Sequence, residues 1–160
     1  MSSSIPQPGL AASSWPGGVV PEGLRFAGPS KTLTDAHSLL FSGLTGDTHR
    51  SHYDVEYAKT TRFGKPLVHG LLLASLTAAG ASEVRDHLEG FVLVEQGCRF
   101  LNPVSVGDTI HSEFVVERIW EEAHRKFCRI GTRLVNHRGE TVLEGFHCYR
   151  IIPPSQEDQA

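Results

Sequence analysis

The spacing of apolar and polar positions changes character near residue 90. From Phe91 onward, β-branched and aromatic residues gather in four dense runs, Phe91–Leu101, Thr109–Trp120, Lys126–Asn136 and Thr141–Ile152. That composition suits a pleated, half-buried surface. Alternation is clearest in the third run, which points Cys128, Ile130, Thr132 and Leu134 one way and Arg129 and Arg133 the other. Asn102-Pro103 with Val106-Gly107-Asp108, then Glu121-Glu122-Ala123, then Asn136-His137-Arg138-Gly139, separate the runs. Gaps this short favour antiparallel neighbours.

Before the strands the pattern is helical. From His69 the run GLLLASLTAAGASEVRDHL carries almost no charge over its first turns and predicts a helix of about four to five turns. Ala74, Ser75, Ala78, Ala79 and Ser82 give it a small-residue side for close approach. A helix so apolar is buried nearly all round. One central helix followed by an antiparallel sheet that covers it is an α+β, two-layer arrangement.

Upstream, Leu24–Leu33 reads as an edge strand. Thr34 is an N-cap, with Asp35 in the first turn, for a short helix through Leu44. Leu39, Leu40, Gly43 and Leu44 form its expected apolar side, and Gly46 stops it. Asp54 caps a second short helix, Val55–Thr60, with Val55 and Ala58 expected inward. Pro66 makes Arg62–Val68 a connector. Residues 1–23, rich in Ser, Pro and Gly, read as a flexible arm, residues 24–153 as one domain, and 154–160 as a disordered tail.

Bulk properties narrow the function classes. With 160 residues the chain is large enough for one real core. Apolar content of 39% and charged content of 21% are those of a soluble protein. A net charge of −3, without a basic run interleaved with aromatics, argues against nucleic acid. No apolar run approaches the roughly 20 residues of a membrane span, and the first residues make a poor signal peptide. Cys98, Cys128 and Cys148, odd in number and widely spaced, read as free thiols of a reducing compartment, so cytoplasm is the expected location.

Candidate chemistry concentrates in Phe41–Gly70. Asp47 and His52 lie five positions apart on one glycine-started loop, a pair able to hold a water between them. A helix starting at Gly70 points free backbone N–H groups into the same region. Asp47 alone would read as a turn cap and His52 alone as a hydrogen-bonded loop histidine; the pairing gives both their weight. His49 reads as loop support, His69 as a hydrogen-bonded lock on the loop, and Ser75 as either acyl-pocket lining or close packing. His49-x-x-His52 with Asp47 lacks the Cys or Glu that would complete a recognisable metal site. Arg50, Lys59, Arg62 and Lys65 are either contacts for an anionic ligand or a solvated basic face.

Gly46-Asp47, His52, Asp54, Ala58, Phe63-Gly64, Pro66, His69-Gly70 and Ser75, followed by the Pro103–Asp108 turn, resemble the MaoC-like dehydratases, the (R)-specific enoyl-CoA hydratase branch of the hotdog fold. The resemblance covers about residues 25 to 152. It implies a long helix wrapped by a curved antiparallel sheet, and a homodimer or higher homo-oligomer with sheets joined edge to edge and sites near the interface. It also implies reversible hydration of the 2,3 double bond of an enoyl-CoA, with Asp47 and His52 as the catalytic pair. The thioester carbonyl would be met by Gly70, with Ser75, His69 and His49 around the substrate. No metal or redox cofactor is expected, the coenzyme A belonging to the substrate. Many members of the family have Asn-Pro where this chain has His49-Arg50. A His in this place is similar to the branch acting on short, branched or carboxylated acyl-CoAs such as mesaconyl-CoA. A non-catalytic acyl-thioester-binding hotdog module and a hotdog thioesterase are the competing readings.

Overall fold

Residues 20–152 are described by a computed structural model. The arm before Val20 and the tail from residue 153 lie outside the described residues. In chain order the strands are β1 (Arg25–Ala27), β2 (Lys31–Thr32), β3 (Phe91–Phe100), β4 (Thr109–Glu122), β5 (Arg125–Asn136) and β6 (Thr141–Ile151). They form one antiparallel sheet in the order β1-β4-β5-β6-β3, with β2 also on β4. The four long strands begin and end within two residues of the expected runs. The expected single strand Leu24–Leu33 is broken in two. Pro29 has no N–H to give a ladder, and at Gly28 the chain still bonds to Ser112 O at 2.9 Å before leaving the sheet.

Cys128, Ile130, Thr132 and Leu134 of β5 are buried as their alternation requires, and two packed clusters cover that face. One gathers Phe26, Phe114, Val116, Ile130 and Tyr149; the other Leu33, Leu73, Ile110, Leu134 and Leu143. Val20 is fully buried in the first, so the packed fold reaches back beyond the expected start at Leu24. Cys98, Cys128 and Cys148 are free thiols. Burial pushes the Cys128 thiol up to about 12, which leaves it unreactive at neutral pH.

The helices are α1 (Asp35–Thr45), α2 (Val55–Lys59) and α3 (Gly70–Ser75). The long central helix is therefore corrected: α3 has six residues, and the chain continues through tight turns at Ala79–Ala81 and Arg85–His87. Hydroxyls explain the stop. Thr77 Oγ1 donates to Ala74 O at 2.6 Å and Ser82 Oγ to Ala79 O at 2.5 Å, offering these carbonyls an alternative to the helical ladder. Thr77 Oγ1 then accepts from buried His147 Nε2 at 3.0 Å, and His147 Nδ1 accepts from Tyr149 Oη at 3.0 Å. That chain of donors closes only with a neutral imidazole, and burial lowers the His147 pKa in the same direction.

One expected helix face is reversed and another holds only in part. α1 buries Ser38 and Ser42 and leaves Leu39, Leu40 and Leu44 at 57, 67 and 78% exposure. In α2, Ala58 is buried as expected but Val55 is exposed. Among the described residues, no helix is long and apolar enough to cross a membrane.

Candidate active site

The site is assembled by caps and turns. Thr34 starts α1, its N–H donating to His37 Nδ1 at 3.1 Å. Gly46 ends it in the left-handed conformation, φ 78°, with its N–H on Ser42 O at 2.8 Å. This C-cap suits glycine because it carries no Cβ. The reversal delivers Asp47 to the start of the loop. Asp47 Oδ1 accepts from His49 N–H at 3.3 Å, and Tyr53 Oη closes the loop onto Thr48 O at 2.6 Å.

The loop holds its shape without Asn-Pro. His49 Nδ1 meets Ser51 Oγ at 2.8 Å and Ser51 N–H at 3.3 Å, stabilising the tight turn Arg50–His52. Arg50 places Nε and Nη2 on Asp54 Oδ2 at 2.8 and 2.7 Å, and its guanidinium lies 4.8 Å above the Tyr57 ring. Asp54 caps α2 by accepting from Tyr57 N–H at 2.9 Å. That hydrogen bond, followed by Arg50, holds the Asp54 carboxyl below its usual range. Arg50 is thus committed to the loop, Lys59 to Glu56, and Arg62 to the Phe63 ring.

The loop docks onto the connector before α3. Leu67 N–H donates to Ser51 O at 2.9 Å, and His52 Nδ1 sits 2.8 Å from Leu67 O. A carbonyl only accepts, so Nδ1 carries the hydrogen and Nε2 keeps a lone pair when the ring is neutral. His69 is buried and stacks on His52 with ring centroids 3.7 Å apart at 22°. Its Nε2 lies 3.2 Å from Asp47 O and 3.3 Å from Ser42 Oγ, and its Nδ1 is buried with no partner. Burial, the largest influence, lowers the His69 pKa and keeps this ring neutral.

Polar side-chain atoms of Asp47, His52 and His69 all lie within 4.8 Å of one another. A water making bonds of about 2.8 Å spans that distance between the Asp47 carboxylate and the His52 ring. The two imidazole planes are nearly parallel, and the ligand atoms of the same three side chains are close enough together to hold a metal ion. Gly70 follows His69 at the start of α3, where N–H groups have no intrahelical acceptor. A Cβ there would touch the Phe100 ring at an ordinary 3.4 Å. Ser75 does not join the cluster: it is exposed, and its Oγ donates to Leu72 O at 2.7 Å. His49 supports the loop through Ser51, and its ring lies edge-on to His52 with centroids 6.3 Å apart.

Ser42 and the Leu67 carbonyl were not singled out from the sequence. Ser38 and Ser42, four apart on a leucine-rich helix, were a legible sign of a polar inner face. The Leu67 carbonyl is main chain and leaves no sign.

A short helix segment laid over a six-stranded antiparallel sheet, with the candidate loop at the start of α3, defines a hotdog-fold protein of α+β class. The sequence profile of the MaoC like domain matches residues 21–136, and the chain belongs to that family. It is 33% identical over 121 residues to an (R)-specific enoyl-CoA hydratase of Rhodospirillum rubrum, covering 76% of this chain and 81% of that protein. It is 31% identical over 116 residues to a mitochondrial 3-hydroxyacyl-[acyl-carrier-protein] dehydratase of Solanum lycopersicum, covering 72% and 68%. The solved structure of the (R)-hydratase from A. caviae superposes with a TM-score of 0.73 at 28% identity, over 83% of this chain and 98% of that one.

Proposed function

We propose that this protein is a hydro-lyase that adds water reversibly across the 2,3 double bond of an enoyl-CoA thioester. The observation that carries this reading is the approach of Asp47 and His52 to within bridging distance of one water, with the Leu67 carbonyl on Nδ1 leaving Nε2 as the nitrogen with a lone pair. In the hydration direction, Nε2 takes one proton from the water while its oxygen attacks C3. Asp47 holds the water's second hydrogen and faces the imidazolium that forms. The same proton then passes from Nε2 to C2, so oxygen and hydrogen add to one face and the histidine is regenerated. Charge that develops on the thioester oxygen meets the Gly70 N–H, a kind of donor whose loss costs about 3–4 kcal/mol of barrier. His69 fixes Asp47 through its main-chain oxygen and supports the His52 ring from behind.

The acyl group we assign is short or branched, of the mesaconyl-CoA kind, on the strength of His49-Arg50. Coenzyme A itself is part of the substrate, and the chemistry described uses no other cofactor. We also assign a homodimer. The outer edge of the sheet is β3, a strand of ten residues with Val92, Leu93 and Val94 about half exposed. A long apolar edge of this kind is a template for a second chain. Asp47 is exposed in the single chain, so a second copy would supply the wall that excludes water.

The test is loss of enoyl-CoA absorbance with crotonyl-, mesaconyl- and longer enoyl-CoAs. Asp47→Asn and His52→Gln are expected to lower kcat about 10²–10⁴-fold with the fold retained. Undiminished turnover in both variants would overturn the assignment. Binding without turnover in the unaltered protein would favour the non-catalytic module, and release of free CoA thiol would favour a thioesterase.

A further inference from the structure

On the face of the sheet opposite the helices lies a second concave site. Gly97, Phe146, Gly131, Val115 and Arg25 stand directly opposite one another on β3, β6, β5, β4 and β1. Crossing five strands, this row spans about 19 Å. Two glycines keep it low. At Gly97 the Phe146 ring lies over bare backbone, where a Cβ would come within 2.6 Å of it. The Arg129 guanidinium stacks 3.5 Å above the same ring. At Gly131 the side chain of Glu117 folds into the space a Cβ would fill. The result is a cavity of about 460 Å³, within the ordinary range for a small-ligand site. None of its lining residues comes from the Asp47–Ser75 segment.

The charges of the trough define its ligand. Arg99 pairs with Glu144 at 3.6 Å, Arg133 with Glu113 at 3.3 Å and Arg129 with Glu117 at 2.9 Å. Arg25 is the fourth cation, and among the described residues its side chain makes no ion pair or hydrogen bond. Three carboxylates on the walls repel a polyanion, while the surplus of one arginine fits a single negative charge. Val115 and the Phe146 ring provide the apolar surface. We propose that this trough binds a small organic anion with one carboxylate or sulfonate head at Arg25 and an apolar body along the Val115–Phe146 floor.

The probe is 8-anilinonaphthalene-1-sulfonate, which has one sulfonate and an apolar body and fluoresces when bound. Titration of the full chain is expected to show one saturable site per chain, competed by decanoate. Arg25→Gln is expected to raise Kd at least tenfold, Arg25→Lys to retain binding, and Val115→Glu to abolish it. Circular dichroism checks the fold of each, and enoyl-CoA turnover is expected to stay unchanged because no trough residue touches the Asp47–His52 site. Absence of a saturable site would overturn the proposal. So would binding that is equally strong in Arg25→Gln and Val115→Glu, which would put the dye on another apolar surface such as the leucines of α1. Neither result bears on the hydration chemistry, so the two proposals fail separately.

Discussion

His69 does three jobs at once: it stacks on His52, and its Nε2–H is shared between the Asp47 carbonyl and Ser42 Oγ of α1. Its neighbour Ser38, one turn earlier on the same buried face, has an Oγ with no partner. These two serines separate the value of a made hydrogen bond from the burden of an unmade one. Ser42→Ala is expected to destabilise the protein by about 1 kcal/mol, whereas Ser38→Ala should be neutral or stabilising. Urea unfolding of both variants checks this, and equal losses would contradict it. Much of the site was legible at this scale: the Asp47–His52 spacing, Gly46 as the stop and Asp54 as the cap. The replacement at His49-Arg50 also announced that other contacts must shape the loop. Their identity, His49 on Ser51 and Arg50 on Asp54, was not legible, since it depends on side chains meeting across a turn of unknown shape.

Among elements, strands were read more faithfully than helices. Alternation in β5 is dictated by one buried face and survives any detail of packing. Apolar density from Leu71 to Ala81 says only that the segment is covered, and it cannot show Thr77 and Ser82 diverting carbonyls from the helical ladder. For α1, the leucines mark an apolar side but not which side faces the sheet; the bond from Ser42 to His69 selects the polar one. The exposed leucines and the apolar β3 edge are surfaces that the single chain leaves uncovered. Proline in a strand interior removes a ladder donor. Val94→Pro, at the register shift of β3, is therefore expected to convert a dimer to monomers, with turnover falling in parallel. Sedimentation or light scattering reads the mass, and an unaltered dimer would remove β3 as the interface.

The whole molecule is set against acid by two buried histidines on different parts of the core. Burial lowers the pKa of His69 and of His147 below the usual 6.5. Each therefore binds fewer protons folded than unfolded, and stability rises with pH through that window. Acidification from about 6.5 downward should lower the urea midpoint, while the interval from pH 7 to 8 should leave it nearly flat. A midpoint that holds steady down to pH 5 would show that neither ring is kept neutral by the fold. His147→Gln should reduce the slope, since one of the two groups is gone.

The connector that carries Leu67 is itself tied down, by pairing of Leu67 with Ser105 and by Val68 N–H on Val104 O at 2.8 Å. Which nitrogen of His52 carries the hydrogen is consequently decided by an oxygen that every amino acid possesses. A substitution at position 67 leaves that tautomer untouched, and only a shift of the chain itself would reverse it.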